Sequence, residues 1–122
     1  GTKMDSAAVK SNEKRFFEYV NSRDSKSMDC WIDDFVSEDF INHNPTFNVP
    51  NNRDGLKEMF RILFKAFPEI NFTIKEIIFE NDVLCFRHIV HGIKENEGII
   101  GIVMVKFKND QITDRWAVTE PI

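Results

Sequence analysis

The 122-residue sequence predicts an α+β fold, helices first and an antiparallel sheet afterwards, on three observations. Up to Phe67 the apolar residues recur every three or four positions, as they do on one face of a helix. Beyond Pro68 they alternate, as they do on a strand. Within the alternating part, Asn81-Asp82 and Asn109-Asp110 are two-residue turn signals, so the strands double back as a meander instead of crossing over as parallel βαβ units. With no repeat and no linker, residues 2–122 are read as a single domain.

Residues 6–21 read as the first helix, with Val9, Phe16, Phe17 and Val20 at helical spacing and Asp5 or Ser6 available as its cap. The polar run 21–25 is a turn. A second helix follows, with Met28, Trp31, Ile32 and Phe35 on one stripe. A short segment from Phe40 to Asn44 ends at Pro45, and residues 46–53 form a loop rich in helix breakers. The clearest helix opens at Asp54 and runs to about Phe67. Leu56, Met59, Phe60, Leu63, Phe64 and Phe67 define its apolar face, and Pro68 stops it. Strands are expected at 70–80, 82–91, 99–108 and 111–119, with a third turn at Glu95-Asn96-Glu97-Gly98.

The chain carries 16 Lys and Arg against 20 Asp and Glu, a formal charge of -4, with no clustered basic run. That balance speaks against binding to phosphate backbones or to an anionic membrane surface, so neither nucleic acid nor membrane is expected as a partner. Cys30 and Cys85 stand apart among apolar neighbours without metal or redox spacing, and read as small buried hydrophobes. No apolar stretch is long enough to span a bilayer and no signal-peptide pattern opens the sequence, so a reducing cytoplasm is the expected location. The 12 Phe against a single Tyr favour a broad dry interior or an apolar cavity.

Both faces of the later strands are apolar. Val83, Cys85, Arg87, Ile89 and His91 alternate with Leu84, Phe86, His88 and Val90, and Ile100, Ile102 and Met104 alternate with Gly101, Val103 and Val105. A one-layer antiparallel sheet with a wet face should alternate apolar and polar residues. The helices can hide only one side, so a second copy is expected over the other. The predicted homodimer packs through Leu84, Phe86, Ile102, Met104, Trp116 and Val118.

From Asp39 to Val118 the sequence resembles the SnoaL-like polyketide cyclases of the nuclear transport factor two-like superfamily. The matching pieces are Asp39-Phe40-Ile41-Asn42-His43-Asn44-Pro45, Gly55-Leu56 with Ala66-Phe67-Pro68, Asn81-Asp82-Val83 with Arg87, Gly101-Ile102, and Gln111-Ile112-Thr113-Asp114-Arg115-Trp116. The resemblance implies a cone-shaped α+β barrel with helices in the concave face of the sheet, a pocket between the two, and frequent dimers. It does not fix a reaction, because the same fold serves isomerases, cyclases, hydrolases, dehydratases and binding proteins.

The family's proton-transfer positions, carried over by that resemblance, hold inert residues here. The cyclases' Asp after the last-strand Trp is Ala117, and their second polar group falls at Val103. The base of the ketosteroid isomerases falls at Asn44, their tyrosine at Phe16 and their protonated aspartate at Val103. Of the Arg-x-Asp pair of the limonene epoxide hydrolases, Arg87 is present and the Asp is Ile89. Alanine, valine, isoleucine and phenylalanine cannot move a proton, and asparagine is no base at neutral pH.

Arg87, His91 and Arg115, with Thr119 nearby, are expected to face the cavity, and His43 and Asn44 to approach it. Its walls are expected from Phe17, Phe40, Phe60, Phe64, Val103, Val105 and Ala117. A guanidinium in a dry cavity has to be paired. Either a ligand carboxylate pairs it bidentately, or Arg87 is a structural partner of Asp33, Asp34 or Glu13. Two main readings follow. One is a non-catalytic protein binding a small, mostly apolar, acid-bearing molecule. The other is an acid–base enzyme of isomerase, cyclase or dehydratase type, using His43 with Arg87 or Arg115. A third, weaker reading is an association module whose cavity is filled by Phe side chains. The three histidines have no metal-ligand spacing, so no metal or other cofactor is expected.

Overall fold

The computed structural model describes residues 4–93 and 98–122. The element order is α1 (Ser6–Asn21), α2 (Ser25–Phe35), β1 (Val36–Asn42), α3 (Arg53–Ala66), β2 (Asn71–Glu80), β3 (Val83–His91), β4 (Ile99–Lys108) and β5 (Gln111–Pro121). Each helix opens on a side-chain cap of the kind that satisfies a free N-terminal N–H. Asp5 accepts from the Ala8 amide, Asp24 from Ser27 and Asn52 from Gly55. At Gly55 a Cβ would stand 1.8 Å from the Pro50 carbonyl oxygen, so only glycine lets the loop before α3 fold against the helix start.

The sheet runs β1-β5-β4-β3-β2. Asn81 and Asp82 both take positive φ, 52° and 63°, as do Asn109 and Asp110, 52° and 62°. These are the left-handed two-residue turns expected of tight hairpins. The expected turn at Glu95-Asn96-Glu97-Gly98 falls on 94–97, outside the described residues, apart from Gly98. Two features correct the sequence reading. The segment before Pro45 is a full strand, β1, which begins at Val36 directly after α2. It pairs with β5 in parallel, so the sheet is mixed, curved and open instead of wholly antiparallel. No hairpin joins β1 to β5, which lie far apart in sequence, so nothing local sets their relative direction.

The helices cover the concave face. On α1, Val9, Phe16, Phe17 and Val20 are buried against the sheet and α2. The Trp31 indole N–H donates to the Asn12 carbonyl and side-chain oxygens at 3.2 Å, which joins α1 to α2 without leaving a buried donor unpaired. The end of α1 is clamped to β2 by a reciprocal pair at Asn21, whose amide donates to the Phe72 carbonyl and accepts from the Phe72 N–H, both at 2.8 Å.

Strand β3 turns opposite to the expected face. Leu84, Phe86, His88 and Val90 point into the concave side, opposite Val105, Val103, Gly101 and Ile99 of β4. Arg87 and Ile89 point outward. Because both faces of β3 are apolar, alternation alone does not choose between them. The connection to β4 is too long to set the register as a two-residue turn does. On β5 the register shifts where Ile112 faces Phe107 and Asp114 faces Lys106. This bulge takes up Thr113, so that Ile112 and Arg115, three residues apart, both reach the interior.

Candidate ligand-binding site

Between helices and sheet lies a cavity of about 320 Å³, lined chiefly by apolar side chains from α1, α2, α3 and all five strands. Its size is that of a small-molecule pocket, which typically spans roughly 300–1,000 Å³. The Phe residues therefore wall a hollow and do not fill it, contrary to the weaker expectation of an association module. Three titratable groups interrupt the apolar lining: Glu13 from α1, His88 from β3 and Arg115 from β5.

Glu13 lies on the buried stripe of α1, one turn before Phe16 and Phe17, and is only 6% exposed. Burial disfavours its charged form and pushes its pKa up to about 7, a rise that the positive charge of Arg115 limits. His88 is 5% exposed and enclosed by the rings of Phe17, Phe72 and Phe86, with centroids 6.0, 5.4 and 5.7 Å away. Burial first, and the Arg115 charge second, push its pKa down to about 4, so the imidazole is neutral at pH 7. Its ring lies across Gly101 of β4, where a Cβ would come within 2.1 Å of Nε2. Its Nδ1 is buried without a hydrogen-bond partner.

The Arg115 guanidinium donates to Asn42 Oδ1 at 3.2 Å. Burial lowers its pKa to about 10, with the nearby Glu13 charge working against that shift, so it stays cationic at neutral pH. Asn42 is itself fully enclosed, and its Nδ2 has no partner. The cavity thus has greasy walls, one permanent cation, one carboxyl that changes charge near neutrality and one neutral imidazole.

Of the residues singled out from sequence, Phe17, Phe40, Phe60, Val103, Val105, Arg115 and Thr119 line the cavity. Phe64 and Ala117 pack, partly buried, against the adjoining core. Val103 and Ala117, two of the positions expected to have lost the family's polar groups, face each other on β4 and β5. Asn44 accepts from the Ala117 N–H at 2.8 Å and so holds the β1 end to β5.

Three polar expectations are corrected. Arg87 lies on the convex face, where it makes a bidentate pair with Glu76 of β2, at 2.8 Å for the shortest contact. Its partner is none of Asp33, Asp34 and Glu13, because β3 presents the other face. His43 lies outside the hollow, its ring stacked on Trp116 at 4.6 Å and its Nε2 2.9 Å from Asp114 Oδ2, since β1 ends at Asn42 before it. That hydrogen bond, with one from Thr113, holds the Asp114 carboxyl below the usual carboxylate range. His91 is exposed at the end of β3.

The sequence reading missed Glu13 and His88 as cavity residues, although each left a signal. Glu13 is the one carboxylate among Val9, Phe16, Phe17 and Val20 at helical spacing, and His88 interrupts the run Leu84, Phe86, Val90 opposite a glycine. Among the described residues no group of three metal-binding side chains occurs, and no helix is long and apolar enough to cross a membrane.

The chain is similar in structure to a provisionally named polyketide cyclase from Bacillus cereus ATCC 10987, with 21% identity over 89% of this chain and 72% of the other, at a TM-score of 0.73. TsrD from Streptomyces laurentii matches at 16% identity over 97% and 92% of the two chains, TM-score 0.77. A provisionally named SnoaL-like polyketide cyclase from Jannaschia sp. CCS1 matches at 11% identity over 98% and 92%, TM-score 0.74. At these identities the likeness shows the fold alone. No curated protein matches the chain. The family model for SnoaL-like polyketide cyclase matches residues 14–121, nearly the whole sequence. The α+β architecture and this match agree: the chain belongs to the SnoaL-like polyketide cyclase family.

Proposed function

We propose that the protein binds a small, mostly apolar molecule bearing an acid group in the cavity between helices and sheet. The observation that carries this reading is the Arg115 guanidinium, set in an apolar hollow and held by the neutral Asn42. A half-buried guanidinium whose side-chain hydrogen bond goes to a neutral amide is only partly compensated by the nearby Glu13, and a carboxylate on a ligand would meet it in two parallel hydrogen bonds. Calorimetry with 2-naphthylacetate and its neutral amide tests the reading. The acid should bind at least tenfold more tightly, and Arg115→Gln should erase the difference. Equal binding of acid and amide to the unaltered protein refutes it.

A second reading, acid–base catalysis, is favoured by Glu13 and His88 sharing the cavity with Arg115. In this form it does not use His43, whose imidazole lies outside. Any turnover found for a cavity ligand should then fall at least a hundredfold in Glu13→Gln.

The reading includes a homodimer through the convex face. There Ile102 pairs with Val118 and Met104 with Trp116, all exposed, while Leu84 and Phe86 of the expected interface are 0% and 2% exposed and belong to the core. Sedimentation at micromolar concentration should give a dimer that Met104→Lys dissociates, and a monomer for the unaltered chain refutes this part. Cys30 is exposed and Cys85 half-buried, not the buried hydrophobes expected from sequence, and two free thiols suit a reducing, cytoplasmic setting.

A further inference from the structure

We propose that Glu13 is a ligand-binding residue that works as the neutral acid, donating its carboxyl proton to the carboxylate of a hydrophobic acid held by Arg115. The proposal rests on the reading above that an acid group binds at Arg115, and it adds a proton to that ligand's recognition. The cavity holds one cation, Arg115, and a ligand carboxylate beside it brings a second negative charge next to Glu13. Two carboxylates facing one guanidinium in an apolar hollow cannot both stay ionised, so one of them keeps a proton. A protonated carboxyl is a donor, and its O–H to a carboxylate oxygen is among the shorter and stronger hydrogen bonds.

The geometry fits the donor role. Glu13 lines the cavity from α1, and among the described residues nothing hydrogen-bonds its carboxyl, so its proton is available to a ligand. The titratable groups sharing the cavity with it are His88 from β3 and Arg115 from β5. The lining residues of α2, α3, β1, β2 and β4 are uncharged. Because His88 titrates near 4 and Arg115 near 10, Glu13 is the lining group that changes charge between pH 5 and 9. No bond beyond the O–H is involved: a solvent proton moves to Glu13 when the anion enters and returns when it leaves.

The sign follows from linkage. The free carboxyl titrates near 7, and an anionic ligand raises it further, so binding above pH 7 takes up a proton. Titration calorimetry of 2-naphthylacetate at pH 8, in phosphate and in Tris, reads that uptake from the difference in heat between the buffers. The unaltered protein should take up close to one proton, and its affinity should fall about tenfold per pH unit above about 7. Glu13→Gln, which keeps a donor, should bind with no proton uptake and with affinity independent of pH from 6 to 9. Binding by the unaltered protein without buffer dependence, or uptake that persists in Glu13→Gln, overturns the role of Glu13 and leaves the anion site at Arg115 standing. Absence of binding at pH 6, where Glu13 is already protonated, overturns both.

Discussion

Replacing Glu13 by glutamine keeps its shape and removes its charge, so it isolates the cost of burying a carboxylate in the cavity wall. In the folded protein this carboxyl titrates near 7, against an ordinary value of 4.5. Its folded-state pKa is raised, so its contribution to stability is fully present below about 4.5 and is lost as pH rises through 7. At about 1.36 kcal/mol per pKa unit, the loss is about 3 kcal/mol. His88 works in the opposite sense. Its folded-state pKa is depressed from 6.5 to about 4, so its contribution is present above 6.5 and is lost as pH falls through 4. The two windows overlap, and in the unaltered protein the two slopes largely cancel between pH 4.5 and 6.5. Glu13→Gln exposes them. Relative to the unaltered chain it should gain about 3 kcal/mol between pH 4.5 and 8, and its own stability should climb with pH through the His88 window. Urea denaturation followed by tryptophan fluorescence reads the change. At an m-value of about 1.5 kcal/mol/M, the midpoint difference should widen by about 2 M. If the two proteins keep parallel pH profiles within about 0.5 kcal/mol, Glu13 is not the desolvated acid described here.

Further outcomes follow from the same packing. Gly101→Ala drives a methyl group into the His88 imidazole and should cost about 1–3 kcal/mol by overpacking. His88→Ala in the same chain should recover most of that loss, and additive losses in a double-mutant cycle would show that the ring does not occupy the space. Arg87→Ala should change stability by at most about 1 kcal/mol and leave 2-naphthylacetate affinity unchanged, because its pair with Glu76 lies on the convex face. A tenfold loss of affinity there would return Arg87 to the cavity. Asn21→Ala removes two hydrogen bonds to Phe72 and should cost about 1–3 kcal/mol, with faster amide exchange at Phe72. Unchanged exchange would show that α1 is held to the sheet by apolar contact alone.

The order and limits of most elements were legible because local rules set them. The cap at Asp5, the stop at Pro68, and the Asn-Asp pairs at 81–82 and 109–110 act within a few residues of themselves. The family resemblance was equally readable, since its motifs are short and lie in order along the chain. By itself the sequence also determined that the sheet would have two apolar faces.

Tertiary structure decided which face of β3 looks inward, and with it the identity of the polar groups in the cavity. Arg87 and His88 are neighbours in sequence. A shift of one residue in pairing with β4 exchanges them between solvent and hollow, and no short turn fixed that pairing. The structure also brought Glu13, from the first helix, to the same cavity as Arg115, about a hundred residues later, a proximity that no local pattern encodes. Period and propensity act over one turn or one strand pair. The charge balance of a cavity depends on which distant side chains share it, and only the completed packing of helices on sheet sets that.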